Sequence, residues 1–418
     1  MKQKSRFRKF LLLWSGELVS SVGGGLTSFG LGVYVFRQTG SASGMALVTL
    51  FGFLPTLLLS VPAGVLADRF DRRLLMMIGD GCSALGILYI LICMMRGSAS
   101  LAQICAGVFA SAVFSALLEP SFRATITDLL DEEEYAKASG LVSLAGSSRY
   151  LLSPVIAGLL LSVSDVKLLL VIDIGTFILT VLSAAVVRRG LENRRKAETN
   201  ESFLQSIRDG WRILRMKNGI LTLVAISSGI TLFMGIFQIL AEPLILSFES
   251  ARTLGIAETV CAGGMLVSGI FLGIRGLKGR YVRTLGTVLI LSGIFMTGFG
   301  LFENMILICA FGFLFFATLP YANGCLDYLM RTNIPDEVQG RAWGMIGFLS
   351  QLGYVIAYAV SGAAADAAAA LSGQGVGRGA AMVIVVSGIC LSVTAAMVLI
   401  PDSIRKLEID RTEEETVE

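Results

Sequence analysis

Six carboxylates and one guanidinium stand inside long apolar runs of this 418-residue chain: Glu17, Asp80, Asp173, Glu242, Glu258, Asp327 and Arg149. Ionisable groups in such runs are costly, and they usually face a bundle interior or a water-filled cavity. Carboxyls placed this way can take up and release protons. Glu17 and Asp80 fall about 10 Å into their helices, at 1.5 Å of rise per residue. With Asp173 and Arg149 they are the candidates for proton coupling. Glu242 precedes Pro243 near a helix end and reads as interfacial. Arg149, unpaired, would be very expensive. It is expected to pair with Asp80 or Glu17. Such a pair either holds helices together or opens when a proton arrives, which would couple protonation to movement.

The chain has no histidine. That excludes His-based metal sites, Ser-His-Asp triads and His proton relays. Its seven cysteines lie in apolar runs without metal-ligand spacing and read as small hydrophobes. The Gly-rich stretch 373–379 has no strand before it and no Lys-Ser/Thr after it, so it is a loop and not a phosphate cradle. No cofactor, metal or nucleic acid is expected, and no enzyme chemistry.

The elements that must position these groups are membrane helices. Hydrophobic residues make up 54% and charged residues 16% of the chain, with a mean hydropathy of +0.75. A soluble domain carries about 25% charged residues. A span needs roughly 20 apolar residues, and twelve runs qualify, near 10–36, 43–67, 74–95, 101–128, 136–163, 166–187, 219–247, 253–274, 284–302, 305–329, 338–367 and 379–400. The expected organisation is a six-helix bundle over 1–187 and a linker over 188–218 with a surface-lying amphipathic helix. A second six-helix bundle follows over 219–400, and a polar tail over 401–418. The 47 glycines fit close helix packing. Trp14, Trp211 and Trp343 read as interfacial anchors. The N-terminal apolar run is too long for a signal peptide and reads as a retained first span.

Of the 34 Lys and Arg, only Arg37, Arg96, Lys167, Arg252 and Arg378 fall on one side of these spans. Arg149 lies within one, and the rest fall on the other side. The positive-inside rule then places both termini and the linker in the cytoplasm. The two halves also share landmarks. Pro120 and Asp131-Glu-Glu-Glu-Tyr-Ala-Lys137 are matched about 200 residues later by Pro320 and Pro335-Asp-Glu-Val-Gln-Gly-Arg341. Duplicated bundles of this kind build midplane sites that open alternately to each side.

One stretch stands apart. Gly64-Val-Leu-Ala-Asp68-Arg69-Phe-Asp71-Arg72-Arg73 is a charged island between two apolar runs, so it should turn at a membrane face. It resembles the signature loop of the major facilitator superfamily, Gly-x-x-x-Asp-Arg-x-Gly-Arg-Arg, with Asp71 in place of the last Gly. Thr39-Gly-Ser-Ala42, Glu119-Pro-Ser-Phe-Arg123-Ala and Ile334-Pro-Asp-Glu-Val-Gln-Gly-Arg341 are similar to stretches of the bacterial drug and macrolide efflux branch, which includes siderophore exporters. Gly146-Ser-Ser-Arg149-Tyr-Leu-Leu-Ser153-Pro154-Val-Ile-Ala-Gly158 resembles an antiporter motif of helix five, with Ser153 where Gly is usual.

The resemblance implies an all-α membrane protein of twelve helices in two pseudo-symmetric bundles. It implies a bacterial inner-membrane secondary transporter that exports amphipathic, drug-like or macrolide-like molecules by proton antiport with alternating access. Its partners would be a small-molecule substrate, protons and membrane lipid, and it would act as a monomer. Gly64, Asp68, Arg69, Arg72, Arg73 and Arg123 would form a gate. In it Asp68 meets the start of helix eleven, and Arg72 and Arg123 complete a charge network; the plainer alternative is a basic loop that fixes orientation. Gly146, Pro154 and Gly158 would serve helix-five packing. Phe29, Tyr34, Phe233, Phe237, Gln238, Tyr354 and Tyr358 could line a lipophilic cavity. The alternatives are a lipid, lysophospholipid or siderophore transporter of the same fold, or a non-transporting receptor or scaffold.

Overall fold

A computed structural model describes residues 2–188, 211–212, 219–277, 279–334 and 339–398. Most of the expected linker, the 401–418 tail and residues 335–338 of the second-half landmark lie outside the described residues. The described residues form helices and no strand. Fourteen have described bounds: α1 Lys2–Thr39, α2 Ala42–Arg69, α3 Arg72–Met95, α4 Leu101–Ser115, α5 Leu118–Leu129, α6 Glu132–Leu151, α7 Ser153–Val163, α8 Val166–Arg188, α9 Ile220–Leu246, α10 Ala251–Arg275, α11 Tyr281–Leu301, α12 Met305–Asn333, α13 Gln339–Ser372 and α14 Val376–Val398. Twelve segments among them are long and apolar enough to cross a membrane. The fourth span is α4 with α5, and the fifth is α6 with α7.

Proline chemistry explains both broken spans. Pro120 cannot donate to the carbonyl four residues earlier, and its ring crowds that carbonyl. The helix is interrupted there, at Ala116–Leu117. Pro154 does the same in the fifth span, where α6 yields to α7 around Leu152. Pro320, the counterpart of Pro120, lies inside the continuous α12. The shared landmark therefore has different local structure in the two halves.

The chain packs as two compact units, Met1–Thr199 with Glu249–Thr259, and Asn200–Phe248 with Val260–Glu418. The first turns of α10 group with the first unit because backbone meets backbone there. A Cβ on Gly158 would come within 2.7 Å of the Ala251 carbonyl oxygen. Thr259 also donates its hydroxyl to the Leu151 carbonyl at 3.1 Å. Of the three helix-five residues singled out above, Pro154 and Gly158 take part in this contact, while Gly146 faces open space.

Within the first unit two apolar cores occupy opposite ends. One gathers Phe10, Leu13, Met76, Phe122, Leu129 and Val187. The other gathers Leu31, Val35, Met45, Ile90, Ile104 and Leu170. Between them along the helices runs a polar layer that includes Thr27, Asp80, Ser83, Asp173, Thr176 and Thr180, all buried. Among the described residues of the second unit, a large core gathers side chains of α9, α11, α12 and α13 with Ala395 of α14.

Candidate functional site

The signature stretch is mostly helix. α2 runs on through Asp68 and Arg69, and only Phe70 and Asp71 make the turn. Asp71 caps α3, its Oδ1 accepting the Arg73 backbone N–H at 3.1 Å. Its Oδ2 accepts from Arg188 Nε, at the end of α8, at 2.7 Å. Burial alone would raise the Asp71 carboxyl. The Arg188 hydrogen bond and charge and the backbone N–H groups of Arg73 and Leu74 outweigh it and hold the carboxyl below its usual range.

Arg72 is the hub beside this turn. It pairs with Asp128 at 2.8 Å and with Asp68 at 3.6 Å. It also donates to the carbonyls of Ala67 and Ala124. A planar guanidinium with several fixed donors suits this multiple role. Arg73 is buried and reaches Asp128 at 3.8 Å. Asp68 is open, with 72% of its side chain exposed. Arg123 pairs with Glu119 in its own helix at 2.9 Å and not with this cluster. The eleventh span is α13, which begins at Gln339, and residues 335–338 just before it lie outside the described residues; the cluster of Asp68, Asp71, Arg72, Arg73, Asp128 and Arg188 lies within the first unit.

The polar layer holds two of the six membrane carboxylates, Asp80 and Asp173. Asp173 accepts the Thr27 hydroxyl at 2.6 Å, and Thr176 lies at 3.4 Å. Asp80 is only 1% exposed, and neither of its oxygens has a hydrogen-bond partner. Its acidic neighbours are Glu17 and Asp173. A buried carboxylate without donor or counter-charge is costly, whereas the protonated acid is neutral. Arg149 does not pair with Asp80 or Glu17. Among the described residues its hydrogen bond goes to Ser28, from Nη2 at 3.0 Å. Since Ser28 follows Thr27, adjacent residues of α1 hold Arg149 of α6 and Asp173 of α8.

Glycines on α1 permit this approach. A Cβ on Gly23 would run into Thr176 and Asp173, and one on Gly25 would run into Ser153. Ser153 in turn donates to the Val22 carbonyl at 3.0 Å. The Ser that replaces the usual Gly on helix five is therefore accommodated by a Gly on helix one.

The aromatic candidates separate by unit and by role. Phe29 is buried, and Tyr34 accepts the Ala99 backbone N–H at 3.2 Å. Phe237 is packed among Phe299, Phe315 and Phe316, with centroids 4.5–5.7 Å apart. Gln238 accepts the Tyr358 hydroxyl at 2.7 Å, and Tyr354 lies 5.6 Å from Tyr358. Phe233 is half-buried on α9.

Residues 13–358 match the family model described as Major Facilitator Superfamily. The chain belongs to that superfamily. It is 27% identical to macrolide efflux protein A of Streptococcus pyogenes over 370 residues, covering 86% of this chain and 89% of that one. It is 25% identical to the multidrug efflux pump Tap of Mycolicibacterium fortuitum over 375 residues, again 86% and 89% of the two chains. Among solved structures, a bacterial homologue of the human lysosomal transporter Spinster aligns with a TM-score of 0.73 at 14% identity. It covers 97% of this chain and 98% of its own. That likeness establishes the fold. The protein is a multi-pass bacterial membrane transporter of the Major Facilitator Superfamily, not an enzyme, and it resembles the drug-efflux branch.

In this Major Facilitator chain, sequence reading missed three members of the charged cluster: Asp71, Asp128 and Arg188. Asp71 carried a signal, since it departs from the signature. Asp128 and Arg188 carried none beyond being charges at span ends.

Proposed function

We propose that this transporter exports amphipathic, drug-like or macrolide-like molecules in exchange for protons, working by alternating access as a monomer with both termini in the cytoplasm. The observation that carries the reading is Asp80, a buried carboxyl with no partner on either oxygen, whose acidic neighbours are Glu17 and Asp173. A proton arriving at Asp80 removes a charge that has no compensation there, and its departure restores that charge. Neighbouring acids make the change in charge matter to one another. Asp173 is tied to α1 through Thr27, and Arg149 is tied to the next residue, Ser28. Altered charge in the layer therefore bears on how α1, α6 and α8 hold together. The efflux relatives support the direction and the substrate class, and the excess of acids over Arg149 favours neutral or cationic substrates.

The test is transport in proteoliposomes with an imposed pH gradient and a labelled macrolide or cationic dye. Accumulation should follow the gradient and collapse with a protonophore. If the gradient drives nothing and a protonophore leaves efflux unchanged, proton exchange is wrong.

A further inference from the structure

The geometry points to an anionic-phospholipid site on the second unit, at the N-terminus of α11. Arg280, Arg283, Thr284, Thr287 and Val288 line a cavity of about 410 Å³ there. All five stand on one face of a single helix, so the cavity is an open groove. Arg280 and Arg283 are both exposed, and among the described residues neither side chain has an ion pair or hydrogen bond. Two other cations of the second unit are already engaged. Arg275 lies over the Phe271 ring at 4.3 Å, and Arg331 pairs with Asp327 at 3.4 Å. The α11 N-terminus has no side-chain cap, so its positive end adds to the two guanidiniums. The Thr284 hydroxyl makes no hydrogen bond among the described residues.

The class of anion follows from what lies below the cavity. α11 is a span beginning at Tyr281, so the arginines stand at a membrane face. The same helix face continues through Leu291 and Ile294, which are 40% and 50% exposed. From Arg283 to Ile294 is roughly 16 Å at 1.5 Å per residue, about half the hydrocarbon thickness of a bilayer. A phosphodiester headgroup in the cavity would thus lay its acyl chains along an apolar stripe one leaflet deep. A free phosphate would use only the arginines.

Thermal unfolding and native mass spectrometry of the whole protein in detergent, with added phosphatidylglycerol, phosphatidylcholine or inorganic phosphate, test the site. Phosphatidylglycerol should raise the unfolding midpoint by several degrees more than phosphatidylcholine and should be retained in the gas phase. The double variant R280Q/R283Q should bind it roughly thirtyfold more weakly, at about one lipid-facing charge's worth per arginine. The variant R37Q/R96Q, which removes two charges elsewhere, should bind it as the wild type does. Equal loss in both variants, equal effects of the two lipids, or the whole effect from inorganic phosphate would each overturn the site. If R280Q/R283Q unfolds early without lipid, retention in the mass spectrum still decides, and undiminished retention overturns the site.

Discussion

Asp71 and Arg188, 117 residues apart in the chain, meet at 2.7 Å and tie the turn between α2 and α3 to the last residue of α8. The same carboxylate caps α3. The one residue that departs from the superfamily signature is thus among the most heavily used in the loop. Replacing it with Gly, the usual residue, removes both the cap and the pair. Asp71→Ala should destabilise the protein by about 1–2 kcal/mol, the range for losing a side-chain cap and a partner, and Asp71→Gly by about 0.5–1 kcal/mol, because Gly is tolerated at an N-cap. A double-mutant cycle of Asp71→Asn with Arg188→Gln, read by unfolding in detergent, should show coupling of roughly 0.5–1 kcal/mol, because Arg188 is partly solvated. Strict additivity would mean the contact contributes nothing.

The same residue predicts a pH dependence. Its carboxyl in the folded protein lies below its unfolded value, near 3.9 for a free Asp side chain. A depressed carboxyl adds stability that is fully present above the unfolded value and lost as pH falls through the folded one. The stability difference between wild type and Asp71→Asn should therefore be flat from about pH 5 to 8 and shrink below about pH 4. A difference that grows on acidification would reverse the sign and the assignment.

Asp80 and Asp173 share a layer and should respond oppositely to substitution. Asp80 makes no hydrogen bond, so Asp80→Ala should leave stability within about 1 kcal/mol of wild type, since no partner is orphaned. Asp173→Ala strands the buried Thr27 hydroxyl and should cost about 1–3 kcal/mol. Transport should rank the other way, with Asp80→Ala and Asp80→Asn losing gradient-driven transport by about a hundredfold or more, the loss typical of removing a group that handles the proton. An Asp80→Asn variant that still follows an imposed pH gradient would remove Asp80 from the coupling.

Much of this is legible in the sequence. Twelve apolar runs gave twelve spans because a span must hide its backbone from lipid within itself, and the charged island fell at the α2–α3 turn. What was not legible was rotation about each helix axis. In a water-soluble bundle a polar face marks the outside. Here lipid and core are both apolar, so periodicity no longer separates them. Arg149 was expected to find an acid and found Ser28. Phe237, expected to line a lipophilic cavity, is packed among three other rings. Nor did composition distinguish prolines. Pro120 and Pro154 break their spans, while Pro55, Pro62, Pro243 and Pro320 do not.

Gly25 and Ser153 form a size-matched pair between α1 and the start of α7. A Cβ on Gly25 would collide with the Ser153 side chain and come within 3.0 Å of the Arg149 carbonyl. Gly25→Ala should therefore destabilise by about 1–3 kcal/mol, the cost of overpacking a tight contact. Ser153→Gly removes the colliding side chain but also the bond to the Val22 carbonyl. It should cost about 1 kcal/mol alone and recover part of the loss when combined with Gly25→Ala. Two losses that simply add would show that the helices touch elsewhere.

Arg72 offers a test of geometry against charge. It serves Asp128, Asp68 and two carbonyls from different nitrogens of one plane. Lys keeps the charge but has a single nitrogen and cannot reach both α2 and α5 together. Arg72→Lys should therefore lose most of what Arg72→Gln loses, in transport and in the unfolding midpoint, and Asp128→Asn should follow Arg72→Gln closely. If the charge alone mattered, Arg72→Lys would transport at the wild-type rate. The cluster would then be no more than a basic loop that orients the chain in the membrane.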